Sequence, residues 1–492
     1  MHRRHAGSVA LALALPALGA CTGFSLGRNF AGADTYVGSG ALAVDDRTET
    51  VLVLGRHRGG ATATARAMLY AADPDSGSVR PVADLTGRGD DRVLFPEAGV
   101  LVMSEADGGD VLDLYDHRSF ALRASVRTAA RYHGTRLSPS RRWVAVADNT
   151  REPAPIHLLD ATSLAARVIP HAGRWLEAAW MRGSDRLVAA LFEGGTAGVP
   201  PVARVRAWSV DALAAAGFAT DASGTWARPE LDVALPGKVE DLCMSFTWIA
   251  VGPDDGTVVV PVRDAVTGAY ELVLVDVPTR SYRTVPDAKG PVGFTPDGKT
   301  LVSYRARDRA TRGCRWDPPG APSAAPTPGA PGEPAATARD DLLLVDVATL
   351  ATRLVVVPDA DPFNFDVVGT TIVVAPTGDS SGGGAAPLVL VDTGAAPTGQ
   401  VLPGTHAHLH EYVLRPPGEL WLVSHGALGL LDVAARRYEA LPLARTDHVN
   451  YLPKRDWLVL DDPEARRGVT PDGLVFYAPA ARAVASALRL PE

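Results

Sequence analysis

Residues 40–492 predict an all-β chain folded as one ring of about eight four-stranded blades, and three observations carry that reading. A Val- and Leu-rich run ending in Asp and a short polar turn recurs along the chain. The commonest spacing of those Asp residues is roughly 40–50 residues, the length of a four-stranded blade. The composition, 46% hydrophobic and 21% charged over 492 residues, supplies a large core and excludes a disordered chain. A closed β-propeller leaves only short, protected strand edges, which suits an all-β protein of this size.

The repeat is clearest in Leu272-Val273-Leu274-Val275-Asp276 and Leu342-Leu343-Leu344-Val345-Asp346. Looser copies end at Asp116, Asp160, Asp392 and Asp432; degenerate ones surround Asp73 and Asp211, and a last one near Ala478 lacks the Asp. An uninterrupted apolar run is a strand buried on both faces, and the Asp carboxylate accepts hydrogen bonds from the backbone that follows and turns the chain. The weak units at the two ends are read as halves of one blade closed by both termini. That gives eight blades, with seven and nine as the neighbouring counts.

Upstream of the Asp stands a second landmark, Phe294-Thr295-Pro296-Asp297-Gly298-Lys299-Thr300-Leu301. Its relatives begin at Leu137, Leu414 and Leu452, and Trp143, Trp421 and Trp457 each follow the turn, as core residues would. Pro then Asp-Gly marks a tight turn between two strands. This hairpin resembles the F-S-P-D-G-K turn of TolB-type and YVTN-type propellers, which are similar to WD-repeat proteins. The resemblance implies a blade architecture over most of residues 40–490. It implies no particular reaction.

One stretch belongs to no blade: residues 317–340, rich in Pro, Ala and Gly, read as an extended or disordered insert inside one blade. The amino terminus reads as an address. Arg3 and Arg4 precede an apolar run over residues 9–17, too short to span a bilayer and typical of a secretory signal. Leu18-Gly19-Ala20-Cys21 then resembles the lipobox of bacterial lipoproteins. That resemblance implies cleavage before Cys21, acylation of Cys21 with fatty acids such as palmitate, and anchorage in the bilayer by two or more chains. Residues 1–20 are thus a signal peptide and residues 21–39 a lipidated tether. Thr22 stands where an inner-membrane retention signal has Asp, which favours the outer membrane. In that oxidising compartment a disulfide between Cys243 and Cys314 is permitted.

The net charge of -8 argues against a nucleic-acid partner, which needs a basic face. No Gly-x-Ser-x-Gly elbow, P-loop, His-Glu-x-x-His or Cys-x-x-Cys pair occurs. Asp73-Pro74-Asp75-Ser76-Gly77 has carboxylates suited to calcium, but it lacks the spacing of an EF-hand loop and reads as a polar turn. The sharpest polar pattern is Thr405-His406-Ala407-His408-Leu409-His410, in which period-two alternation puts the three imidazoles on one face. His133, His410 and His448 each stand four residues before an apolar hairpin residue, at the start of an innermost strand. His133, His408, His410 and His448 are therefore the candidate ligands of a transition metal at the channel mouth. Against that stands their ordinary role as wet polar residues of a channel wall. The expected function is a lipid-anchored, extracytoplasmic scaffold for an envelope protein, with no catalytic residue and no cofactor. The alternative is a lactonase-like or quinoprotein-like enzyme, or a metal-binding protein, with its site at the channel mouth.

Overall fold

The apolar runs ending in Asp are third strands. Each sits between a second and an exposed fourth strand in an antiparallel sheet whose strands follow in chain order, and nine such sheets occur. The computed structural model describes residues 42–57, 66–148, 155–170, 176–193, 202–221, 225–235, 239–240, 249–264, 269–305, 341–357, 364–375, 387–394, 399–402, 409–415, 419–424, 427–441, 446, 449–462 and 473–490. Blades 1 to 9 span 42–84, 89–127, 132–168, 176–234, 239–286, 288–355, 364–401, 409–440 and 449–489.

The count is nine, where the merged end units had suggested eight. Residues 42–84 complete blade 1 by themselves, and residues 449–489 complete blade 9. No strand is shared across the ends, so each of the nine turn landmarks marks a whole blade. Closure comes from face-to-face packing: Leu42, Val44, Val53 and Tyr70 of blade 1 share a buried core with Leu452, Leu474 and Phe476 of blade 9. Each of the other eight neighbouring pairs encloses a core of the same kind, and these nine cores complete the circle. First strands are innermost, because Val449–Leu452 touches both Leu42–Asp45 and Leu409–Arg415. Trp143 and Trp421, both on second strands, are buried in these cores.

Strand direction divides the ring into two faces. Turns from first to second and from third to fourth strands lie on one, the turn face. Connections from second to third strands and from blade to blade lie on the other, the connection face. On the turn face the third-strand Asp residues do what their sequence suggests. Asp116 Oδ1 accepts from the amides of Arg118 (3.0 Å) and Ser119 (2.9 Å), and Asp346 Oδ1 from the Thr349 amide (2.8 Å) and hydroxyl (2.7 Å). The Asp73–Gly77 stretch is such a turn: Asp73 Oδ1 accepts from the Asp75 amide at 2.9 Å, and Asp75 pairs with Arg455 of blade 9.

A further repeat emerges from the structure. Arg80, Arg123, Arg167, Arg283 and Arg353 each stand seven residues after their blade's Asp, on the outermost strand. Four of the five reach the third-to-fourth segment of the next blade. Arg80 donates to the Arg118 carbonyl (2.6 Å), Arg283 to Val347 (2.8 Å) and Ala348 (2.7 Å), and Arg353 to Thr393 (2.9 Å) and Gly394. Arg167 stacks over the Phe218 ring at 5.9 Å. A positive charge on these five edges also discourages pairing with foreign strands.

Two blades depart from the plan. Blade 4 inserts the helix Val210–Ala215 between its third and fourth strands, where Trp208, Phe218 and Trp226 pack edge-on or tilted. In blade 5 the innermost strand is broken: Val239–Glu240 and Ala250–Val251 both pair with Thr257–Asp264. No helix among the described residues is long and apolar enough to cross a membrane.

Candidate functional site

The two faces differ in kind. Among the described residues first-to-second turns are short, as from Phe294 to Thr300 or Leu452 to Trp457, and most are laced to their neighbours. The Asp255 carboxylate of blade 5 accepts from the Arg182 (2.6 Å) and Gly183 (2.9 Å) amides of blade 4. Asp185 of blade 4 accepts from the Ser140 amide of blade 3 at 2.9 Å, and Asp456 of blade 9 pairs twice with Arg415 of blade 8 at 2.5 Å. The long stretches leave from the opposite face. Arg305 pairs with Asp341, so residues 306–340 depart from and return to one point of the connection face. Residues 376–386 of blade 7 and 463–472 of blade 9 follow the same second-to-third route.

Buried carboxylates hold the strands that enter the ring at this rim. Asp110, at the start of a third strand of blade 2, accepts from the Tyr132 amide at 2.8 Å. Asp148, ending the second strand of blade 3, accepts from the Arg131 amide at 3.1 Å. In blade 9 the Thr446 hydroxyl donates to Asp461 at 2.6 Å, just before the innermost strand. Around Tyr132 these contacts form a network: its hydroxyl lies 3.3 Å from His157 Nδ1, and His157 Nε2 lies 3.8 Å from Asp148. Arg92 donates to the Tyr132 carbonyl, and Arg131 pairs with Glu105. Burial raises the Asp110 carboxyl above the usual carboxylate range, against the Tyr132 amide that lowers it. Burial likewise pushes the Tyr132 phenol up. Both ring nitrogens of His157 face a protein group, so this network fixes where blade 3 begins.

Sequence reasoning did not single out Asp110, Asp148, His157 or Asp461. The available signal was an Asp at the inner end of an apolar second or third strand, and the more regular Asp at the outer turn masked it.

The candidate ligands divide between described and undescribed residues. The backbones of His133 and His410 lie at the connection-face end of innermost strands, in blades 3 and 8. His406, His408 and His448 lie outside the described residues, as do Cys21, Cys243 and Cys314. The alternation expected through residues 406–410 does not run through the strand. Leu409 pairs with Ser424 and Glu411 with Val423, so His410 is the extra residue of a β-bulge, and a bulge breaks period two. The strand of His133 carries a one-residue bulge as well, between His133 and Arg136. No group of three metal-binding side chains occurs among the described residues.

No family model and no curated protein matches the chain. Among solved structures it is similar to the dihydro-heme d1 dehydrogenase NirN in complex with DHE, at 14% identity and TM-score 0.43, covering 91% of this chain and 74% of that one. It is similar to the Dos1 propeller at 9% identity and TM-score 0.41, covering 88% and 91%. TolB from Acinetobacter baumannii aligns at 12% identity and TM-score 0.30, covering 72% and 79%. At such values the fold rests on the sheet pairing and the closed ring of cores: the chain is a nine-bladed β-propeller.

Proposed function

We propose that the chain is a lipid-anchored envelope scaffold that binds a protein partner through its connection face. One observation carries this reading: first-to-second turns on the turn face are short and bonded from blade to blade, while the Pro- and Gly-rich stretches 306–340 and 376–386 join second to third strands on the other side; the helical insert of blade 4 is the one long connection on the turn face among the described residues. Binding residues concentrate on loops held by a rigid scaffold, and a ring of buried sheets is such a scaffold. The missing reaction motifs and the lipobox resemblance at Cys21 agree with it. A photo-crosslinking residue in place of Asp107 (connection face) and one in place of Lys299 (turn face) test it in intact envelopes, since both positions are exposed. One dominant crosslinked protein from Asp107 and none from Lys299 is expected. Equal capture from both faces, or capture from Lys299 alone, overturns the assignment.

A second reading is a transition-metal site at the channel mouth, favoured by the shared entry position of His133 and His410. Elemental analysis of the purified protein separates the two. Stoichiometric zinc, copper, iron or manganese, lost in a His133→Ala, His410→Ala variant, supports the metal reading; a metal-free protein removes it.

A further inference from the structure

Eight of the nine blade joints are crossed by the chain itself; the joint between blades 9 and 1 is not. Its apolar core matches the others in kind, with Val44 and Val53 meeting Leu474 and Phe476. The distinction lies in its polar contacts, most of which converge on one carboxylate. Glu49 Oε1 accepts from the backbone amides of Lys454 (2.7 Å) and Arg455 (3.2 Å), and Oε2 pairs with the Arg455 guanidinium. The same guanidinium reaches Asp75 at 2.5 Å, and the Lys454 ammonium donates to the Arg47 carbonyl. Glu49 is buried and left-handed at φ 57°, a conformation uncommon for a non-glycine residue.

We propose that Glu49 is the latch of the ring: the ring opens locally at the joint between blades 9 and 1, and this carboxylate sets how often. The joint between blades 4 and 5 supplies the internal control. There Asp255, left-handed at φ 58°, accepts from two turn amides in the same way, but the chain also runs across the joint. When a chain-crossed joint loosens, its connection keeps the two blades at short range, and closure costs little entropy. Across the joint between blades 9 and 1 no connection does this. Local openings draw on the weakest cooperative contacts of a structure, and here the covalent restraint is missing.

Thiol labelling of single buried cysteines, read by peptide mass spectrometry in the full chain, tests the proposal. Val44→Cys reports on the joint between blades 9 and 1, and Val251→Cys on the joint between blades 4 and 5; both residues are buried in their joints. Val44→Cys should label faster than Val251→Cys, and adding Glu49→Gln should raise its rate by about tenfold or more, as the loss of charge-assisted bonds implies. Adding Asp255→Asn should leave labelling at Val251→Cys nearly unchanged. Should Glu49→Gln fail to fold, Arg455→Ala keeps the two backbone donors and should give a smaller rise at Val44→Cys. Equal labelling at both joints, or a rise at both together, means global unfolding and overturns the latch.

Discussion

The Arg141 guanidinium of blade 3 lies 2.8 Å from the Asp45 carboxylate of blade 1 and 2.7 Å from Asp46, bypassing blade 2 to reach them. The Arg141 carbonyl meanwhile accepts from the Glu97 amide of blade 2 at 3.0 Å, so one turn residue joins three blades. The Arg141 and Asp45 side chains are 4% and 5% exposed, which makes this a buried ion pair rather than a surface one.

Replacing Arg141 by Ala removes the closer and buried guanidinium from Asp45 and leaves only Arg47, at 3.8 Å, as its charged partner. Removing one partner of a buried pair costs about 3–5 kcal/mol. Urea unfolding at neutral pH should show a loss of that order, whereas Arg142→Ala, on an exposed arginine, should cost under about 1 kcal/mol. Similar losses for both variants would contradict the buried-strut role.

On the proposed lipoprotein reading, in which acyl chains alone hold the body to the bilayer, Cys21→Ala should abolish membrane attachment and leave the fold intact. Detergent phase partitioning reads this directly. A variant that still enters the detergent phase rules out the lipoprotein reading.

A Cys243–Cys314 disulfide is expected in protein made in an oxidising compartment. Cys243 lies three residues beyond Glu240, which pairs with Arg263 at the end of the second strand of blade 5; Cys314 lies nine residues beyond Arg305, which ends the second strand of blade 6. Glu240 and Arg305 both stand near the connection face of adjacent blades, and both cysteines lie outside the described residues. Non-reducing peptide mapping should recover the linked pair, and Cys243→Ser should destabilise the protein by about 4 kcal/mol on the chain-entropy estimate. Full alkylation of both thiols without reductant would exclude the bridge.

Acid should weaken the ring through its turn carboxylates. Amide hydrogen bonds from Ser119 and Arg118 hold Asp116 down at about 2. Bonds from Thr279 and Thr349 lower Asp276 and Asp346, and the Arg415 pair lowers Asp456. Each binds a proton less readily in the folded than in the unfolded chain, where Asp titrates near about 3.9. Their contribution is therefore present above about pH 4 and lost as the pH falls toward about 2. The urea midpoint should drop across that window, and less so in an Asp276→Asn, Asp346→Asn variant. An unchanged drop in that variant would show that other groups carry the acid sensitivity.

By itself the amino-acid sequence determined the strands and their turns. Alternating apolar runs, the Asp that caps each third strand and the Pro-Asp-Gly hairpins are local signals, satisfied within one blade by residues a few positions apart. Tertiary structure alone decided the blade count and the joints. The left-handed position that Gly298 and Gly369 fill in two blades is held by Glu49, Arg141, Asp255 and Asp456 in four others. A non-glycine residue there is strained. It is offset because each of these side chains reaches another blade. Nothing within a blade requires a charge at that turn; only the neighbour delivered by ring closure does. For the same reason nine landmarks in sequence read as eight blades: whether two faint end units merge or pack face to face depends on how the first and last sheets meet, and no local pattern records that.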